Sequence, residues 1–140
     1  MSHTTRTLYE GQVVRLGLES LELPNGQPLE LEIIRHPGAV TVVPLLDDDR
    51  VCLIRNYRPA VGATLIELPA GTREPNEDPA TTAARELAEE TGYVSKHIQP
   101  IAEFYLSPGI LDERMHLFLA THLQPGEPRR EAGEQIENLV

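Results

Sequence analysis

Three glutamates, Glu86, Glu89 and Glu90, fall within five residues in a segment without helix breakers, Ala80 to Thr91. An α-helix turns about 100° per residue, so Glu86 and Glu90 stand one above the other, about 40° apart, with Glu89 about 60° from Glu86. Carboxylates so placed repel, costing a bare helix roughly 0.2–0.5 kcal/mol per pair. Arg85 precedes Glu89 by four residues and offsets part of this. A divalent cation would relieve the rest. Hard oxygen ligands suit Mg²⁺ or Mn²⁺, which keep several waters and bridge to phosphate oxygens. Taken alone, the cluster is better described as a solvated helix face, which charge clusters on helices usually are.

The flanks turn the balance. Asp78 followed by Pro79 is a capping carboxylate with proline at the first helical position, and Gly92 is the expected stop. Ahead of the helix, Leu65 to Leu68 reads as a short strand ended by Pro69, with Gly71 where a loop must pass closely. The rest of the chain must position this segment. Gln12 to Leu23 and Leu29 to Ile34 alternate apolar and polar residues around Asn25-Gly26, a hairpin signal. Ala39 to Leu46 and Val51 to Ile54 form a second hairpin around Asp47-Asp48-Asp49-Arg50, and Arg55 to Thr64 reads as a loop. Ile98 to Leu106 and Met115 to Leu123 are further strands around Ser107-Pro108-Gly109. The apolar ending Asn138-Leu139-Val140 resembles an interrupted strand, which predicts a C-terminal helix missing from the sequence. Strands, one helix and strands again predict an α/β or α+β domain.

Composition narrows the class. The chain has 140 residues and a net charge of −10, from 22 acidic and 12 basic residues. That disfavours nucleic acid as a partner, since binding its backbone needs a basic face. No apolar run is long enough to cross a bilayer, and MSHTTRTLYE carries no secretory signal. The single cysteine, Cys52, lies in an apolar run and reads as a core residue, which makes a reducing, cytoplasmic setting the default. Asp47-Asp48-Asp49 is too short for a calcium loop, and none of the histidines has metal-ligand spacing.

From Gly71 the chain runs five residues to Glu77, seven more to Arg85-Glu86-Leu87, one to Glu89-Glu90 and one to Gly92. This resembles the Nudix box of residues 71–93 at every defined position except Tyr93, where the pattern prefers an aliphatic residue. The resemblance implies a Nudix fold, an α/β/α sandwich around a mixed β-sheet, here preceded by an antiparallel β region. It divides the chain into residues 1–38, for dimerisation, and 39–140, the hydrolase domain. Carried over residue by residue, it implies that Glu86, Glu89 and Glu90 bind Mg²⁺ or Mn²⁺ with the carbonyl of Ala70. Glu77 would support the site and Arg85 orient its acids.

Three further segments are similar to the ADP-ribose pyrophosphatase subgroup. They are Leu65-Ile66-Glu67-Leu68-Pro69-Ala70-Gly71, Arg55-Asn56-Tyr57-Arg58-Pro59 with Asn56 in place of the commoner glutamine, and Ser107-Pro108-Gly109, with Pro108 fifteen residues past Tyr93. The resemblance implies hydrolysis of ADP-ribose to AMP and ribose 5-phosphate. Substrate contacts would come from Arg55 first and Arg58 second, then Glu67, Pro108 and Glu113. The general base would be Glu134, with Glu131 the alternative, on a loop after the last long strands. A homodimer follows from the same resemblance, with Leu8 to Arg15 the region nearest the adenine. The competing readings are another nucleotide sugar or dinucleotide, such as GDP-mannose or NADH, and an inactive Nudix-fold binding module. The intact glutamates argue against the last.

Overall fold

The computed structural model describes residues 3–140, and these divide into two compact units. The first takes the chain up to Gly38 together with Phe104–Met115. Its strands β1 (Thr4–Glu10), β2 (Arg15–Glu22) and β3 (Pro28–Arg35) form an antiparallel sheet in the order β1-β2-β3. The turn between β2 and β3 uses Asn25-Gly26 as expected, with Gly26 at φ 83° and the Asn25 side chain accepting from the Gln27 amide. Strand β1 lies ahead of the segment read as strand. Its residues are exposed throughout, so no inside–outside alternation marks it. The 104–115 segment joins this unit through backbone bonds: Ile34 donates to Ile110, and Asp112 donates to Ile34.

The second unit comprises Ala39–Glu103 and His116–Val140. Strands β4 (Ala39–Pro44), β7 (Ala70–Thr72), β8 (His97–Tyr105) and β9 (Arg114–Thr121) form a sheet in the order β7-β4-β9-β8, whose last two strands run on into the first unit. A second sheet, order β10-β5-β6, holds β5 (Leu53–Arg58), β6 (Ala63–Glu67) and β10 (Ile136–Leu139), all antiparallel. The expected hairpin of residues 39–54 survives only at its turn, where Leu45 bridges Val51; the chain then parts into different sheets. The expected loop 55–64 is instead mostly hairpin, because Pro59 and Gly62 mark only the turn between β5 and β6. The chain's last residues form β10 against β5.

Helix α1 (Pro79–Glu86) starts where expected, with the Asp78 carboxylate accepting from the Ala80 amide. It contacts β4 and β7. It gives way at Leu87–Thr91 to a π-helical turn. Among the described residues this is the one helical element, where the resemblance implied helices on both sides of the sheet. Val40, Val42, Ala83, Leu87, Phe118 and Ala120 form the core against which α1 is seated, with Tyr93, Ile98 and Leu123 packed on it. Each large apolar side chain so buried stabilises by about 1.5–3 kcal/mol. Tyr93 therefore packs, as an aliphatic residue would. Cys52 is fully buried.

Candidate active site

Two short elements meet at the glutamates. Strand β7 carries Ala70 and Gly71, and α1 with its π turn carries Arg85 to Thr91. The Ala70 amide donates to Glu90 Oε2 at 2.9 Å. Glu86 lies across Gly71, where a Cβ would collide with its carboxyl group. A side chain there would displace the Glu86 carboxyl, because the loop and the carboxylate share one layer.

The loop end is held by a guanidinium. Arg85 grips Glu77 with two parallel bonds, Nε to Oε1 and Nη2 to Oε2, both 3.0 Å. Its Nη1 donates to Glu86 at 2.7 Å and Glu89 at 3.0 Å. Glu77 also accepts from Thr82 Oγ1 and the Glu74 amide. The Arg85 bonds hold its carboxyl well down, at about 2. The Arg85 guanidinium is itself pushed up by Glu77.

Glu86 and Glu90 both shift in the opposite direction to Glu77. Burial raises both, although the Arg85 bond pulls Glu86 down and the Ala70 amide pulls Glu90 down. Glu90 is 2% exposed and is pushed up to about 8 by burial, with the charges of Glu86 and Glu134 adding to it. Two desolvated carboxyls with a guanidinium bond to only one of them, Glu86, are a place where a cation binds favourably. All donors are oxygens, which fits a hard divalent ion. Among the described residues no three His, Cys, Asp or Glu side chains form a ready coordination shell, because Arg85 occupies the facing oxygens of Glu86 and Glu89.

The other expected residues fall in several places. Arg58 forms a bidentate ion pair with Glu67, Nη2 to Oε2 at 2.8 Å, and its guanidinium also feels Glu90 and Glu134. Arg55 is exposed, with Ile66 and Glu137 as its register partners. Side chains alternate along a strand, so Arg58 shares the face of buried Ile54 and Asn56 while Arg55 points the other way. Read as a loop, the two arginines shared one role; as a strand, they cannot share one face. Glu134 closes a tight turn with Glu131: its amide donates to the Glu131 carbonyl, and its carboxylate accepts from the Glu131 amide at 2.8 Å. Pro108 and Glu113 belong to the first unit, where Glu113 lies 3.8 Å from His36 and Pro108 lines a small cavity with Arg35 and Asp112.

A model of the NUDIX domain matches residues 35–140. The chain belongs to the Nudix family. It is 43% identical to an ADP-ribose pyrophosphatase of Bacillus subtilis over 91% of its length and 69% of the relative's. It is 42% identical to a methanol dehydrogenase activator of Bacillus methanolicus, over 88% of this chain and 66% of that one. The chain thus spans about two thirds of the length of these relatives. A solved ADP compounds hydrolase superposes with a TM-score of 0.81 at 22% identity, covering 99% of this chain and 77% of the other, and shows the Nudix fold.

Several residues around the Nudix box have no counterpart in the sequence reading. Thr82 and Arg73 brace the Glu77 loop, Arg73 by donating to the Glu77 carbonyl at 2.7 Å. Arg130 and Asn138 bond the carbonyls of Glu90 and Thr91. Their separations of 40 and 47 residues from Glu90 and Thr91 leave no periodic signal. Likewise the rings of His97 and His122 meet at 4.6 Å, which spacing alone does not reveal.

Proposed function

We propose that this Nudix protein hydrolyses the pyrophosphate bond of a nucleoside diphosphate sugar, converting ADP-ribose to AMP and ribose 5-phosphate with Mg²⁺, or Mn²⁺ in its place. The observation that carries this is the pair of buried carboxyls, Glu86 and Glu90, set against Ala70 and Gly71 with Arg85 holding the loop behind them. The substrate is favoured by the relative named ADP-ribose pyrophosphatase.

Glu86, Glu89, Glu90 and the Ala70 carbonyl would hold the ion. A divalent cation held by these oxygens would supply charge screening of the diphosphate and Lewis-acid activation of a P–O bond and a water. Arg85 keeps the acids oriented by its simultaneous bonds to Glu77, Glu86 and Glu89. Glu134 accepts the proton of the attacking water as general base. Arg58, positioned by Glu67, receives a phosphate oxygen in place of Arg55, whose side chain leaves from the opposite strand face. The substrate roles of Pro108 and Glu113 rest on the family resemblance, as does a homodimer. The buried, lone Cys52 accords with a reducing, cytoplasmic setting.

A second reading, another nucleotide sugar, is favoured by a relative named GDP-mannose pyrophosphatase, 31% identical over 76% of this chain. A panel of nucleoside diphosphate sugars with Mg²⁺, followed by release of AMP or GMP, separates the two. ADP-ribose is expected to give the highest kcat/KM. No turnover of any member, with metal binding intact, would overturn the enzymatic reading.

A further inference from the structure

The π turn ends at Thr91, and a helix end leaves its last carbonyls without partners in the helix. Here the C-terminal segment supplies them. The Arg129 amide donates to the Glu89 carbonyl at 2.8 Å, Arg130 Nε to the Glu90 carbonyl at 3.0 Å, and Asn138 Nδ2 to the Thr91 carbonyl at 2.8 Å. Arg130 Nη2 then reaches Asn138 Oδ1 at 2.8 Å, joining the two side chains. A guanidinium at a helix C-terminus is also favoured by the helix dipole. Gly92, at φ 80°, approaches Gly126 so closely that a Cβ on it would collide with the Gly126 carbonyl.

The same segment is pinned beyond the loop, where Ile136 and Asn138 sit in register with Asn56 and Ile54 of β5. Residues 131–135 therefore span two fixed ends, the carbonyls of the glutamate turn and the edge of β5. We propose that Arg130, with Asn138, is a positioning residue: it straps the loop carrying Glu134 to the backbone of Glu90 and so sets where the base stands relative to the carboxylates. The proposal rests on the hydrolase reading above for the role of Glu134, and on geometry alone for the strap.

The test uses the full chain with R130A, R130K, N138A, E134Q and the double variant R130A/E134Q. Steady-state hydrolysis of ADP-ribose with Mg²⁺ is measured beside amide hydrogen exchange and thermal melting. R130A is expected to lower kcat by about 10–100-fold, with KM within about threefold. Exchange of the amides from Glu131 to Gln135 should quicken by about tenfold or more while those of β4 and β9 keep their protection. Lysine retains the charge but lacks the fork that spans the Glu90 carbonyl and Asn138, so R130K should restore melting without restoring kcat. N138A should act in the same direction as R130A and serves if R130A fails to fold. Once the strap is gone, removing the Glu134 charge should cost less than it does in the wild type. A kcat within twofold of wild type in R130A, or additive losses in the double variant, overturns the proposal. If the wild type turns over no nucleotide, the hydrolase reading fails by itself, and unchanged exchange in R130A then overturns the strap.

Discussion

Glu19 in the first unit and Glu90 in the second are equally buried, each 2% exposed, yet burial has opposite consequences for them. Glu19 on β2 is met by the Arg35 guanidinium and His3, and the Arg35 bond holds its carboxyl below the ordinary range against the opposing effect of burial. Arg35 reaches on to Asp112 at 3.0 Å, so the buried charge belongs to a closed network. Glu90 has one backbone amide and two neighbouring negative charges, and burial wins. A buried carboxylate with its own cation contributes to structure; one left short of positive charge is held in readiness for a ligand. Glu77 repeats the first pattern one loop away from Glu90, which shows how locally the distinction is drawn.

The sharpest way to break this comparison is Glu90→Gln. It should lower activity by on the order of 100-fold or more, because a metal-holding carboxylate is lost. The metal-free protein should melt no lower than wild type, since the amide replaces a carboxyl whose ionisation burial already opposes. A melting temperature that falls with activity nearly intact would place Glu90 among the structural acids. Gly71→Ala comes next. Its methyl group displaces the Glu86 carboxyl, so a loss of about 10–100-fold in kcat is expected, read against a stability cost of about 1–3 kcal/mol in denaturant melts.

Glu19→Gln should do the reverse of Glu90→Gln, costing about 1–3 kcal/mol by weakening a buried charged bond. In kinetic assays at a temperature where it stays folded, its kcat should match wild type. The smallest effect is acidification. Glu19 and Glu77 have folded pKa values below their unfolded ones, so their contribution is complete above about pH 4.5 and disappears as pH falls through the folded values, near 2 for Glu77. Melts between about pH 4.5 and 3 should show a loss from Glu19 and Glu77, below the range where the raised carboxyls Glu86 and Glu90 gain from acid, and Glu77→Gln should reduce that loss. An identical pH dependence in the wild type and Glu77→Gln would contradict the pairing.

The α1 segment was legible because its information is local. Asp78-Pro79, the alanine-rich turn and Gly92 act within a few residues, and the glutamate spacing requires only helical periodicity. The Asn25-Gly26 turn is legible for the same reason. Strand β1 lacked a buried face, and β5 was obscured by Pro59 and Gly62, whose turn chemistry was spread over neighbours that are in fact paired. The π turn is a subtler case. No residue type in Leu87–Thr91 marks it in the sequence.

The sequence by itself determined the family, the helix that carries Glu86, Glu89 and Glu90, and the chemistry those oxygens favour. It did so because residue type and spacing along one helix are short-range properties. Tertiary structure alone decided that Glu90 is buried while Glu77 is paired, that Arg55 and Arg58 face opposite ways, and that Arg130 and Asn138 close the end of the glutamate turn. Each of these depends on which distant backbone arrives beside a side chain. Burial, strand register and the partners of a helix end are properties of that arrival.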